Sequence, residues 1–172
     1  RNVRGLSAAS SSEFGQTPFP VISELPEQKQ IEGLGGTMRL GAQDVVIQPG
    51  TLAHFLFREG QVRERFRHRY EVDPAFIAKL EAGGLVFSGK HPTQPIMQVL
   101  ELSQSPGAGK PSHPFFIGGQ FHPELTSRPL RPQPMFMGLI AAAVLNKFGE
   151  AATQDATVAK WLRSPSVQRQ PA

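Results

Sequence analysis

The run Phe115-Phe-Ile-Gly-Gly-Gln-Phe121 contains no charged residue, and His122-Pro-Glu124 follows it directly. A continuous apolar run of this length predicts a β-strand that is covered on both faces, and Pro123 ends it. In open α/β sheets, ligands bind beyond the carboxyl ends of the strands. The run therefore points to a sheet with a polar site at one end.

Weaker segments on both sides of this run alternate between strand and helix patterns. Strands are predicted at residues 18–25, 37–40, 44–48, 85–88 and 96–102, with an extended segment at 63–72. Turns are predicted at residues 33–36 and at Gly41-Ala-Gln43, and a surface loop at residues 103–112. Helices are predicted at residues 51–58, 75–82 and 135–148, with Thr51 and Asp73 as the N-caps of the first two. This alternation predicts an α/β fold, and the small number of helices predicts a mixed sheet with flanking helices.

Length and composition fit one packed domain. The chain has 172 residues, 39% of them hydrophobic, and a formal net charge of +4. We expect the domain to span residues 1–149 and a mobile tail to span 150–172. The sequence contains no cysteine, which excludes a disulfide scaffold, a thiolate zinc site and a thiol nucleophile within these residues. No run approaches the ~20 apolar residues that predict a membrane span.

His122 and Glu124 are the sharpest candidates for chemistry. They are two residues apart, so in an extended chain both side chains face the same way. A carboxylate beside an imidazole fixes its tautomer and stabilises its charged form, as a general base requires. The alternative is a histidine that caps a turn while the glutamate faces solvent.

Four arginines, Arg63, Arg65, Arg67 and Arg69, alternate with other residues. In a strand they share one face, which has to meet solvent, acidic residues or an anionic ligand. Alternatives are a salt-bridged edge strand and a nucleic-acid surface, which predicts salt-sensitive binding to polyanions. The single short basic run makes nucleic acid the weaker interpretation.

Other polar residues carry less information. Glu13 lies in a polar loop and by composition alone is a solvated side chain. The glycines between Gly33 and Gly41 do not have the spacing of a phosphate-binding loop. His54, His91 and His113 lack metal-ligand spacing, so no metal site is expected.

Taken together, the segments resemble the glutamine amidotransferase domain of the CTP synthase family. The resemblance rests on Gly35-Gly-Thr-Met-Arg-Leu-Gly41, Arg67-His-Arg-Tyr-Glu-Val72, His113-Pro-Phe-Phe116, Gln120-Phe-His-Pro-Glu124 and Ser11-Ser-Glu-Phe14. Their order and approximate spacing agree from residue 1 to about residue 148. The motif Gln120-Phe-His-Pro-Glu124 alone would indicate only a class I amidotransferase. The segments at residues 35–41 and 67–72 narrow the resemblance to CTP synthases.

The resemblance implies part of a class I glutamine amidotransferase fold, which is flavodoxin-like. It implies that L-glutamine is the substrate, that a cysteine attacks its amide, and that His122 and Glu124 complete the catalytic triad. It also implies that Glu13 and Arg69 bind glutamine. A carboxylate suits the α-ammonium group of glutamine, and an arginine suits its α-carboxylate.

The resemblance further implies a separate synthetase domain, where ATP and Mg²⁺ activate UTP for amination by ammonia to CTP. GTP activation, a homotetrameric parent and a cytoplasmic location are also implied, with no nucleic-acid or membrane partner. Because the cysteine, its elbow and the synthetase domain are absent from these residues, we expect a C-terminal portion of a longer enzyme, inactive alone. The alternative is a non-catalytic pseudo-amidotransferase remnant that acts as a glutamine-binding or regulatory module.

Overall fold

The computed structural model describes residues 4–24, 39–104, 109 and 113–162. The strands in these residues are β1 (Ala9–Ser11), β2 (Phe19–Ser23), β3 (Arg39–Ile47), β4 (Gln61–His68), β5 (Glu71–Val72), β6 (Leu85–Lys90), β7 (Met97–Leu102) and β8 (Ile117–Gly119). The helices are α1 (Leu52–Phe57), α2 (Pro74–Glu81), α3 (Pro134–Phe148) and α4 (Ala156–Ala159). Short 3₁₀ turns occupy Ser12–Phe14, Pro123–Leu125 and Gly149–Gln154.

The described strands form two sheets. The larger has the order β4-β3-β6-β7-β8, and all its neighbours are antiparallel. The smaller has the order β1-β2-β5, with β1 parallel and β5 antiparallel to β2. The predicted α/β architecture with mixed strand directions and flanking helices is confirmed.

Helix α1 begins at two acceptors that the sheet and the preceding loop supply. The predicted cap Thr51 accepts a hydrogen bond from His54 N at 3.1 Å. Glu101 of β7, only 3% exposed, accepts bonds from Leu52 N at 2.7 Å and Ala53 N at 2.9 Å. The carboxylate therefore satisfies two of the backbone donors that a helix start leaves free.

Helix α3 packs closely on α1 through a glycine. A Cβ at Gly138 would lie 2.6 Å from Leu56 Cδ2 and 2.7 Å from Phe115 Cε2. The opposite face exposes Leu139 and Ile140, so this apolar helix is buried on one side rather than all round. By length and composition alone the stretch Pro134–Gln154 could cross a membrane, a test that a core helix also passes.

Two predicted boundaries are wrong. The turn predicted at Gly41-Ala-Gln43 lies inside β3, where Gly41 has a φ of 86° and pairs with Phe66 of β4. A glycine accommodates this angle without ending the strand. The strand predicted at residues 115–121 shrinks to β8, the edge of the larger sheet as described, and leaves Phe116 42% exposed. The predicted turn at residues 33–36 and most of the 103–112 loop lie outside the described residues.

The chain stays folded beyond residue 149. Trp161 packs against the core, and Arg58 lies over its ring at 5.4 Å from the centroid. Arg58 also donates a hydrogen bond from Nη2 to the carbonyl of Lys160 at 3.0 Å. Of the residues assigned to a tail, 150–162 thus form turns and a short helix, while 163–172 lie outside the described part.

Glu101→Ala should lower the free energy of unfolding by about 3 kcal/mol, because it leaves two buried backbone N–H groups without an acceptor. Urea unfolding followed by circular dichroism measures the change. The exposed Glu59→Ala is the matched control and should shift the midpoint little. Equal shifts for the two variants would contradict the capping role.

Candidate functional site

The backbone that carries His122 is held in place on two sides. Phe121 just before it is buried, with its ring centroid 6.2 Å from that of Phe57 and 5.9 Å from that of Phe66. His122 N donates a hydrogen bond to the carbonyl of Arg65 in β4 at 2.8 Å. The segment after β8 therefore crosses to the opposite edge strand of the larger sheet, where His122 begins a 3₁₀ turn.

His122 and Glu124 form the predicted pair. His122 Nδ1 lies 2.8 Å from Glu124 Oε1. An ionised carboxylate can only accept a hydrogen bond, so Nδ1 carries the proton and Nε2 is the basic nitrogen of the neutral ring. The pair closes across the 3₁₀ turn Pro123–Leu125, whereas the sequence predicted alignment along an extended strand.

The His122–Glu124 pair is accessible to solvent, and the pKa of Glu124 is lowered. Both side chains are exposed to solvent in part. The hydrogen bond from His122 lowers the pKa of the Glu124 carboxyl, with a backbone hydrogen bond and the charges of His122 and Arg67 adding to the effect. Glu124 is therefore ionised at neutral pH and able to orient the imidazole.

A buried carboxylate, that of Glu64, holds the end of the 3₁₀ turn Pro123–Leu125 in place. Glu64 is 5% exposed and accepts hydrogen bonds from Thr126 Oγ1 at 2.8 Å and Gln133 Nε2 at 3.2 Å. Burial raises the pKa of Glu64 despite these two bonds and the charge of Arg131. Sequence reasoning missed this residue, although the arginine alternation places it on the same face as Phe66.

Glu13 and Arg69 lie at the same end of the smaller sheet. Glu13 follows β1 by two residues, and Arg69 precedes β5 by two residues. Ser11 pairs with Ile22 of β2, and Ile22 pairs with Val72 of β5. One strand separates β1 from β5, so their backbones are about 10 Å apart. The two predicted glutamine-binding residues thus share one end of one small sheet.

Gln120 links this end to the histidine. Gln120 precedes His122 by two residues, and its Nε2 donates a hydrogen bond to the carbonyl of Tyr70 at 2.6 Å. Tyr70 directly follows Arg69. Within the described ranges, no hydrogen bond or ion pair joins Arg69 or Glu13 directly to His122. Gln120 lies within the motif Gln120-Phe-His-Pro-Glu124, but nothing in the sequence indicates its contact with Tyr70.

The alternating arginines line the solvent face of β4, as predicted. Arg63, Arg65 and Arg67 are exposed, and β4 is an edge strand. Arg63 Nη1 lies 2.9 Å from Asp44 Oδ1 on the neighbouring strand. This part of the pattern is a solvated, salt-bridged edge, while Arg69 lies beyond the strand and is available to a ligand.

In the part of the chain that the structure describes, no group of three or more histidine, aspartate or glutamate residues could hold a metal ion.

Comparison with known proteins gives a consistent family. The model of the class-I glutamine amidotransferase family matches residues 8–142. The chain is 52% identical over 145 residues to a CTP synthase of Archaeoglobus fulgidus, covering 84% of the chain and 26% of that protein. It is 48% identical over 150 residues to a CTP synthase of Thermus thermophilus, with 84% of the chain and 26% of that protein covered. The chain thus spans about a quarter of the length of these relatives.

A solved structure agrees. The chain is similar to the glutaminase domain of Trypanosoma brucei CTPS with bound acivicin, at a TM-score of 0.70 and 34% identity. The match covers 83% of the chain and 53% of the solved chain. The predicted resemblance is confirmed.

His122→Ala should raise the pKa of the Glu124 carboxyl toward its usual value near 4.5, because the hydrogen bond that favours the ionised form is lost. NMR titration of the side-chain carboxyl carbon measures this. Since the folded-state pKa lies below the unfolded one, the pair's contribution to stability is present above pH 4.5 and is lost as pH falls.

The internal control for this titration is Asp155. The backbone N–H groups of Val158 and Thr157 lower the pKa of its carboxyl, and His122→Ala should leave that pKa unchanged. An unaltered Glu124 titration in the variant would contradict the pairing.

Proposed function

The chain belongs to the class-I glutamine amidotransferase family, and we propose that it is part of the glutamine-hydrolysing half of a CTP synthase. The observation that carries the proposal is the hydrogen bond between His122 Nδ1 and Glu124 Oε1 at 2.8 Å. It sets the tautomer that a general base needs, within the residues that match the family. CTP synthases at about 50% identity support the choice within the family.

In the proposed reaction, the thiol of a cysteine outside these 172 residues attacks the side-chain amide carbon of glutamine. His122 Nε2 takes the thiol proton and passes it to the leaving nitrogen, which departs as ammonia. A water molecule then gives a proton to Nε2 and attacks the thioester, which releases glutamate and restores the thiol. Glu124 stabilises the imidazolium that forms in each step.

Glu13 and Arg69 bind the amino-acid end of glutamine in this proposal. Arg69 offers a planar donor fork for the α-carboxylate, and Glu13 offers a carboxylate for the α-ammonium. Their placement at one end of the smaller sheet supports a shared ligand. Neither residue is buried, so both can exchange water for substrate.

The ammonia serves a second active site in the same proposal. The CTP synthases that the chain matches are about four times as long as the matched segment. We assign ATP, Mg²⁺ and UTP to that further length, where ammonia replaces the oxygen at C4 of UTP to give CTP. Alone, the 172 residues should not hydrolyse glutamine, because they contain no thiol nucleophile.

His122→Ala in the longer protein should lower glutamine hydrolysis by about 100-fold or more, because general acid–base catalysis is worth 10²–10⁴-fold. Glutamate release measures hydrolysis, and CTP formation from added ammonium chloride measures the other half. The ammonia-dependent rate should stay within about twofold of wild type, since added ammonia bypasses the glutaminase.

The matched control is His54→Ala, which changes a histidine of α1 that forms no part of the His122–Glu124 pair and should leave both rates near wild type. Full glutamine hydrolysis in His122→Ala would contradict the triad assignment. A coding sequence without a cysteine upstream of residue 1 would favour a non-catalytic binding module.

A further inference from the structure

Glu71 is the most deeply buried charged residue among those described, with 0% of its surface exposed. Its Oε1 lies 2.6 Å from Arg39 Nε and 2.8 Å from His68 Nε2. We propose that Glu71 is a positioning residue for glutamine binding, which holds the turn that presents Arg69. This rests on the proposed function, in which Arg69 receives the α-carboxylate of glutamine.

The bond between His68 and Glu71 closes the base of a short turn. His68 ends β4 and Glu71 begins β5, so only Arg69 and Tyr70 lie between them. Arg39 at the start of β3 fixes the same carboxylate oxygen from a third strand. The base of the turn is therefore buried and tied to three strands, while the Arg69 side chain above it is 47% exposed.

The same turn is tied to the segment that carries His122. Gln120 donates from Nε2 to the carbonyl of Tyr70 at 2.6 Å, and its backbone N donates to the carbonyl of Gln98 at 2.8 Å. A shift of the turn therefore pulls on the residues just before His122. Glu71 therefore fixes the distance between Arg69 and the His122 imidazole, and bound glutamine has to span this distance.

The charge of Glu71 is necessary for this role. Burial opposes ionisation, but the hydrogen bonds from His68 and Arg39 and their charges outweigh it and lower the pKa of Glu71. An ionised carboxylate accepts both bonds at one oxygen. Glutamine at position 71 retains one acceptor oxygen and nearly the same size but has no charge, so it weakens the link without emptying the site.

The Arg69 side chain is held only loosely before a ligand arrives. Its Nε lies 4.0 Å from Glu24 Oε1, at the limit of an ion pair. A ligand carboxylate can displace this contact at small cost because exposed pairs contribute little. The fixed part of the turn is its buried base, so the position of Arg69 depends on Glu71 more than on Glu24.

Glu71→Gln in the longer protein should raise KM for glutamine at least fivefold, with kcat for hydrolysis changed by less than threefold. Arg69→Ala should raise KM by more, and the double variant should resemble Arg69→Ala alone, since both changes act on one contact. CTP formation from added ammonia should not change. Glu101→Gln, an equally buried carboxylate on β7, is the matched control and should leave KM unchanged.

A fall in kcat as large as the rise in KM in Glu71→Gln would overturn the positioning role. So would a double variant in which the effects of Glu71→Gln and Arg69→Ala on KM multiply. A second measurement uses the 172-residue chain and does not require activity. In ¹⁵N relaxation, the backbone order parameters of Arg69 and Tyr70 should be near 0.85 in wild type and below about 0.7 in Glu71→Gln.

The two measurements separate the proposals. If the longer protein hydrolyses no glutamine, the proposed function fails, and the relaxation data still decide whether Glu71 fixes the turn. Unchanged order parameters at both residues would overturn the inference even if glutamine hydrolysis is normal.

Discussion

A buried carboxylate has to be hydrogen-bonded, and this constraint organises the molecule. Three glutamates, Glu64, Glu71 and Glu101, are each 5% exposed or less. Each accepts two hydrogen bonds, and all of these except the bond between His68 and Glu71 come from elements distant in sequence. These bonds join strands of the two sheets to one another and to the starts of α1 and α3.

Each carboxylate has a distinct task. Glu101 ties β7 to the start of α1 and so fixes the helix on which α3 packs. Glu64 ties the turn after His122 to the start of α3. Glu71 ties three strands beneath Arg69. His122 and Arg69 thus stand beside turns that the buried Glu64 and Glu71 hold in place, and pre-organisation of this kind is what catalysis by positioned groups requires.

The exposed residues of the site could be predicted from the sequence, because the patterns that indicate them lie within a few neighbouring residues. Alternation placed Arg63, Arg65 and Arg67 on the solvent face, and spacing brought His122 and Glu124 together. Local chemistry also predicted Thr51 and Asp73 as helix caps, and both accept the expected backbone hydrogen bonds.

Most bonds of the supporting glutamates could not be read in the same way, because the partners are distant in the chain. Glu71 meets Arg39 across 32 positions, and Glu101 meets Leu52 across 49. Gly41 misled the prediction because a glycine is typical of a turn, whereas here the pairing with β4 carries the strand through it. The likeness to a family supplied the roles of Glu13 and Arg69, which composition alone did not.

The most direct test of the account is a crystal structure of the longer protein carrying His122→Asn, which prevents turnover, with L-glutamine bound. The account predicts the α-carboxylate on Arg69, the α-ammonium near Glu13 and the side-chain amide facing residue 122. Glutamine bound at another place, or with its α-carboxylate away from Arg69, would contradict it.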